Sequence, residues 1–223
     1  MSLLLIQTVH EASLELDRIK NEILSLDPAK AMISPAIRDS NARIIASGYV
    51  WIAAILERFF REILGSLFTE MNSIGIQYDQ LKPCLFSVAC STELISLKNL
   101  SDHKKIWTRR VDIFSRPWQL HSVLFKIENI PYDGKTIRPD HLETVWEVFG
   151  IKGSSIPSPI HAMALKDIAD GRNEVVHGEI DPISFGRKRT VADFLKKISQ
   201  MEDIILHVGA ETESYLKNSE YLR

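Results

Sequence analysis

Cysteine is scarce in this sequence: Cys84 and Cys90 are the only two among 223 residues. Two cysteines build no disulfide framework, and neither stands at metal-ligand spacing from a histidine, so the chain fits a reducing compartment and a core assembled without metal. A basic leader is also missing. The apolar start Met1-Ser2-Leu3-Leu4-Leu5-Ile6 runs into Glu11, Glu15 and Asp17, which a secretory signal would not tolerate, and it reads as the start of a helix. A cytoplasmic protein with no membrane partner is the resulting expectation. Excess positive charge is absent too, since 27 Lys and Arg face 29 Asp and Glu for a formal net charge of -2. That balance excludes a protein that coats nucleic acid through bulk basicity, but not an enzyme with a local basic cleft. Nor does the chain contain an alternating strand pattern, an internal repeat or a low-complexity tract, which leaves an all-α bundle as the expected fold.

What is present is enough apolar material, 45% of residues, to bury one substantial core, so a single domain over residues 1–223 is the default reading. From Leu3 to Leu26, the residues Leu3, Ile6, Val9, Leu14, Ile19, Ile23 and Leu26 recur at near-helical spacing, and Pro28 is the expected stop. Asn41 to Met71 is the most hydrophobic segment and reads as the central helix, with Ile52, Ile55, Leu56, Phe59, Ile63 and Leu67 as its stripe. Glu57 points beside that stripe and is a candidate partly buried carboxylate. After a loop around Gly75 and Pro83, Ser91 to Phe114 reads as helix with a polar interruption at Asn99-Leu100-Ser101-Asp102, closed by Pro117. Ile130 to Lys135 is turn chemistry, and Pro139 to Phe149 forms a short helix stopped by Gly150. Ser158 then caps a helix that opens on Pro159, runs to His177 and ends at Gly178, and the last helix covers roughly Thr190 to Leu216.

Chemistry concentrates at Arg172-Asn173-Glu174-Val175-Val176-His177. On the helical wheel Arg172 falls in one arc with Leu165, Ile168, Ala169, Val175 and Val176, so an apolar stripe carries a guanidinium. A charge there must pair with a carboxylate, reach solvent, or face a cleft or interface where an anion binds, and Glu57 is one candidate partner. His177 sits at the helix C-terminus, where the macrodipole favours the imidazolium and burial would oppose it. Asn173 and His177, one i,i+4 step apart, share a side, whereas Arg172 and His177 lie roughly 140° apart. One helix alone aims the pair poorly at one phosphate. Two copies meeting across a two-fold axis give a simpler geometry. An arginine that holds a phosphate, a histidine that moves a proton and an amide that orients either one suffice to cleave RNA through its own 2′-OH without metal.

Spacing alone is weak, because Arg116-Pro117-Trp118-Gln119-Leu120-His121 repeats it with a proline inside. Context separates the two. The segment Leu165-Lys166-Asp167-Ile168-Ala169-Asp170-Gly171-Arg172-Asn173-Glu174-Val175-Val176-His177-Gly178 resembles the HEPN superfamily. Ser47 to Phe68 is similar to the long apolar helix with an embedded glutamate in stand-alone bacterial families of the RiboL-PSP-HEPN type, and Ile127 to Ile151 to their connecting region. The resemblance implies a homodimeric helical bundle whose paired motifs form one RNA-cleaving cleft. It also implies no cofactor, and toxin-antitoxin, abortive-infection or antiviral systems as the setting, with an antitoxin or other defence protein as partner. Carried over by position, Arg172 stabilises the transition state, His177 acts as general base or acid, Asn173 positions phosphate or histidine, and Glu57 orients Arg172.

Other readings stand beside this one. A structural reading pairs Arg172 with Glu57 and lets His177 satisfy helix carbonyls, and a HEPN-fold adaptor without catalysis is the alternative within the resemblance. Lys104, Lys105, Arg109 and Arg110 surround Trp107 in a mixture that suits RNA contact but equally a solvated helix face. Arg187-Lys188-Arg189 suits phosphates, an acidic antitoxin or an exposed loop. His10, His121, His141, His161 and His207 share no spacing that would make a metal site and read as structural or surface residues.

Overall fold

Apolar periodicity and strong punctuation by Ser-Pro and Gly build the architecture. The computed structural model describes residues 3–26, 34–118, 121–132 and 134–223. Among them it is 76% helical, with nine helices and no strand. In chain order the helices are α1 (Leu3–Leu24), α2 (Pro35–Ile74), α3 (Pro83–Ala89), α4 (Ser91–Leu97), α5 (His103–Ser115), α6 (Pro139–Phe149), α7 (Pro159–Val176), α8 (Pro182–Arg187) and α9 (Val191–Lys217). The expected stop at Pro28 lies outside the described residues, as do Asp133 of the expected turn and Gln119-Leu120 of the second arginine–histidine spacing.

At 40 residues, and so roughly 60 Å long, α2 is the spine. It starts at Pro35, earlier than the apolar stripe suggests, because the Ser34 side chain accepts the Ile37 N–H and Pro35 supplies a first-turn residue that needs no donor. Gly75, at φ 71°, closes it. The helices α1, α7, α8 and α9 pack around this spine, and one contiguous apolar cluster runs from Leu5 to Tyr221. In α1 the buried face is Leu5, Ala12, Leu16, Ile19 and Ile23, while Leu3, Ile6 and Leu14 face outward. Four apolar residues in succession at its start fix no face by periodicity, so the expected stripe is corrected there.

The segment expected as one interrupted helix from Ser91 to Phe114 is two helices, α4 and α5, and the loop expected around Pro83 contains α3. Asp102 restarts the chain as a helix by accepting the Lys105 N–H at 3.1 Å. The small α8 crosses α2 so closely that a Cβ on Gly186 would lie 2.0 Å from the Ala42 carbonyl oxygen. No helix among the described residues is long and apolar enough to cross a membrane.

α5 stands outside the main bundle. It packs on α4 and on the turn Arg116–Trp118, and it buries only Ile113. Its C-terminal end is anchored by Arg116, which donates to Glu93 Oε1 at 2.9 Å, to the Tyr78 hydroxyl at 3.3 Å and to Cys90 Sγ at 3.7 Å. Burial pushes the Glu93 carboxyl upward, but the Arg116 hydrogen bond and charge outweigh it and hold the group below its ordinary range. Because the folded-state value is depressed, this anchor is fully present above the ordinary carboxylate pKa and is lost as pH falls through the folded one. Near neutral pH, amides of His103–Ser115 should therefore exchange more slowly in the wild type than in Glu93→Gln at matched pH. The difference should close on acidification; a gap that persists in acid would assign the protection elsewhere.

Candidate functional site

A close approach between α2 and α7 sets the position of the Arg172 to His177 segment. Gly171 has no Cβ, and one built there would meet Tyr49 Cδ1 at 2.5 Å and Phe185 Cζ at 2.7 Å. The Tyr49 ring fills that space with no solvent exposure, edge-on to Phe185 at 5.0 Å and stacked on Phe194 at 5.1 Å. Its hydroxyl donates to Asp167 Oδ2 at 2.9 Å and accepts from Arg189 Nε at 3.1 Å, while Lys197 Nζ reaches the same Asp167 oxygen at 3.1 Å. Burial, with the Asp167 charge behind it, holds the phenol proton far above its ordinary range, so Tyr49 is a permanent neutral donor to Asp167. A second tie, Arg138 to Asp170 at 2.6 Å, fixes α7 to the start of α6.

From this anchored register α7 rises out of the core. Leu165, Ile168 and Ala169 are buried, Arg172 and Val175 half-buried, and Val176 and His177 exposed. His177 is the C-cap residue, its N–H bonded to the Asn173 carbonyl, and Gly178 at φ 70° reverses the chain. The N–H groups of Glu179 and Ile180 return to the Glu174 carbonyl at 2.9 and 3.3 Å, and Asp181 then caps α8 by accepting the Ser184 N–H. The histidine therefore stands at the tip of a hydrogen-bonded reversal.

Arg172 Nη1 donates to Asn173 Oδ1 at 3.2 Å, and no carboxylate among the described residues lies within ion-pair distance of it. Nothing bonds Arg172 to His177. The expected pair between Glu57 and Arg172 is not formed: Tyr49 is the residue of α2 level with Gly171, and Glu57 lies eight residues further on, roughly 12 Å along the axis. Glu57 is half-buried, and its Oε1 has no hydrogen-bond partner among the described residues. Lys104, Lys105, Arg109 and Arg110 are on α5, outside the main bundle, with no hydrogen bond or ion pair to Arg172, Asn173 or His177. Two members of the Arg187-Lys188-Arg189 triplet are engaged, Arg187 with Asp39 and Arg189 with the Tyr49 hydroxyl and the Phe185 carbonyl, its guanidinium 3.4 Å from the Phe185 ring centroid.

Three histidines have local structural partners. His161 contacts Ser158 Oγ and Asp203, His207 meets the Ser154 carbonyl and stacks on Trp146, and His141 Nδ1 accepts the Arg138 N–H. A cavity of about 830 Å³ opens beside α8 between Arg38, Asn41, Arg189 and Thr190, and neither Arg172 nor His177 lines it.

The residues that sequence reasoning missed are Tyr49, Asp167 and Lys197, which with Arg189, expected only to bind anions or lie in a loop, position α7. A tyrosine inside an apolar stripe needs a partner for its hydroxyl, and a glycine inside a helix often marks a close approach. Those were the available signals. Substituting Gly171→Ala should destabilise the fold by about 1–3 kcal/mol through overpacking, lowering the urea midpoint with the slope unchanged. An unaltered midpoint would show that Tyr49 and Phe185 give way freely.

The sequence profile described as RiboL-PSP-HEPN matches residues 14–207, which include α2, α7 and the whole Arg172 to His177 segment. Searches of curated proteins and of solved structures gave no match. With the greater part of its length covered by that profile, the chain belongs to the RiboL-PSP-HEPN family, a member of the HEPN superfamily.

Proposed function

We propose that this protein is a metal-independent endoribonuclease of a prokaryotic toxin-antitoxin, abortive-infection or antiviral system, with a composite site made by two copies of the chain. The observation that carries the reading is the last turn of α7. Arg172, whose partner among the described residues is neutral Asn173, stands five residues from an exposed C-cap histidine at the end of the same helix.

In this reading His177 of one copy removes the proton from a ribose 2′-OH, and the resulting oxygen attacks the adjacent phosphorus. The 5′-oxygen leaves with a proton from His177 of the second copy, giving a 2′,3′-cyclic phosphate and a 5′-hydroxyl. Arg172 holds the non-bridging oxygens as negative charge accumulates on them, in the planar geometry that suits a phosphate. Asn173 Oδ1 fixes the guanidinium and leaves the amide nitrogen for phosphate or base.

Two features support the participation of a second copy. Arg172 and His177 diverge by roughly 140° around α7, so the histidine of one copy is better placed to meet the arginine of the other across a two-fold axis than its own. Met163 lies on the same side of α7 as Asn173 and His177 and is 72% exposed, an apolar contact left open on a single protomer.

Purified protein should cut a mixed RNA pool in EDTA and leave cyclic-phosphate ends. His177→Ala should lose activity on the order of 10²–10⁴-fold, and Arg172→Lys on the order of 10²-fold or more. Light scattering should report a dimer for all three proteins. Intact RNA with every protein would favour the adaptor reading, in which the same fold serves as an interaction subunit.

A further inference from the structure

α5 carries a feature that RNA cleavage does not use. Trp107, Val111 and Phe114 on α5, followed by Trp118 in the turn that continues it, are between 52% and 83% exposed. Their steps of four, three and four residues place them within an arc of roughly 60°, the repeat of a coiled-coil seam. The buried side of the helix is elsewhere on its circumference, at Ile113 and half-buried Ile106. Cations bound the seam on both sides: Arg110 lies with its guanidinium 5.0 Å from the Trp107 ring centroid and exposed Lys104 stands on the opposite flank, while Trp107 Nε1 donates to His103 Nε2 at 3.1 Å.

We propose that this seam is a docking site for an acidic amphipathic helix of another protein, independently of the ribonuclease reading. The width of the seam selects a helix over a membrane surface, since an interfacial helix sinks a broad apolar face into lipid, whereas Lys104 and Arg110 crowd this narrow one. The charge selects the sign of the partner. Glutamates beside the partner's apolar seam would pair with Arg110 and Lys104, whereas a second copy would set Lys104 against Lys104 in parallel pairing and Arg110 against Arg110 in antiparallel pairing. The residue types, two tryptophans and an arginine, are those that dominate binding energy at protein interfaces. The α5 backbone is held by Ile113 and Arg116, so docking orders little that is not already ordered.

The test uses the full chain and a synthetic three-heptad peptide with Leu at its seam positions and Glu beside them. Its controls are the same peptide with Lys replacing Glu, phosphatidylcholine–phosphatidylglycerol vesicles and a single-stranded RNA oligomer. Titration calorimetry should show binding of the acidic peptide, weakened by salt. Binding should fall at least about tenfold with the basic peptide or with the double variant Val111→Glu/Phe114→Glu, whose sites are exposed and whose helicity is checked by circular dichroism. No binding of the acidic peptide, equal binding of both peptides, or vesicle or RNA binding that alone depends on Val111 and Phe114 would overturn the proposal. So would self-association that the double variant abolishes.

Discussion

The contact on which the rest depends is the fit of the Tyr49 ring against Gly171. A ring with no solvent exposure needs both space and a partner for its hydroxyl, and α7 supplies both, the space at Gly171 and the acceptor one turn earlier at Asp167. Arg189 closes the arrangement from the other side, donating to the hydroxyl and lying over Phe185. Three helices and a loop are thereby locked to one register. A buried phenol with a missing partner would cost about 1–3 kcal/mol, so α7 cannot slide past α2 by a residue without breaking it.

That register matters because the residue after Gly171 is Arg172. The lock is internal and the motif begins where it ends, so the arginine, asparagine and histidine project from a helix whose axial position is fixed by a core contact rather than by their own interactions. A site assembled from two such helices inherits precision from each protomer. The reversal at Gly178 leaves that end of α7 exposed.

The sequence revealed helix ends and angular position well and longitudinal position poorly. Pro139, Gly150, Pro159 and Gly178 mark boundaries because proline and glycine act through local backbone geometry. Ser34-Pro35 and Asp181-Pro182 carry the same kind of signal, yet they open helical segments that apolar periodicity did not announce, one six residues ahead of the expected start and one only six residues long. The wheel placed Glu57 beside the apolar stripe of α2, and the structure finds it half-buried there. What no wheel contains is which residue of α2 stands level with which residue of α7. That is decided by the Tyr49–Gly171 fit, two turns from Glu57, and the candidate pairing of Glu57 with Arg172 is therefore not formed.

Arg172 illustrates how a charge can be kept available. On a helix, a carboxylate neutralises an arginine most readily from three or four residues away. For Arg172 those positions are Ile168, Ala169, Val175 and Val176, none of which carries a charge. The acids nearest on the preceding turns are already committed, Asp170 to Arg138 and Asp167 to Tyr49 and Lys197. Asn173, the remaining contact, offers an amide oxygen that orients the guanidinium without cancelling its charge. Half-burial limits the desolvation cost that a fully buried unpaired cation would incur. The result, among the described residues, is a half-buried cation held by a neutral partner one turn before the end of α7.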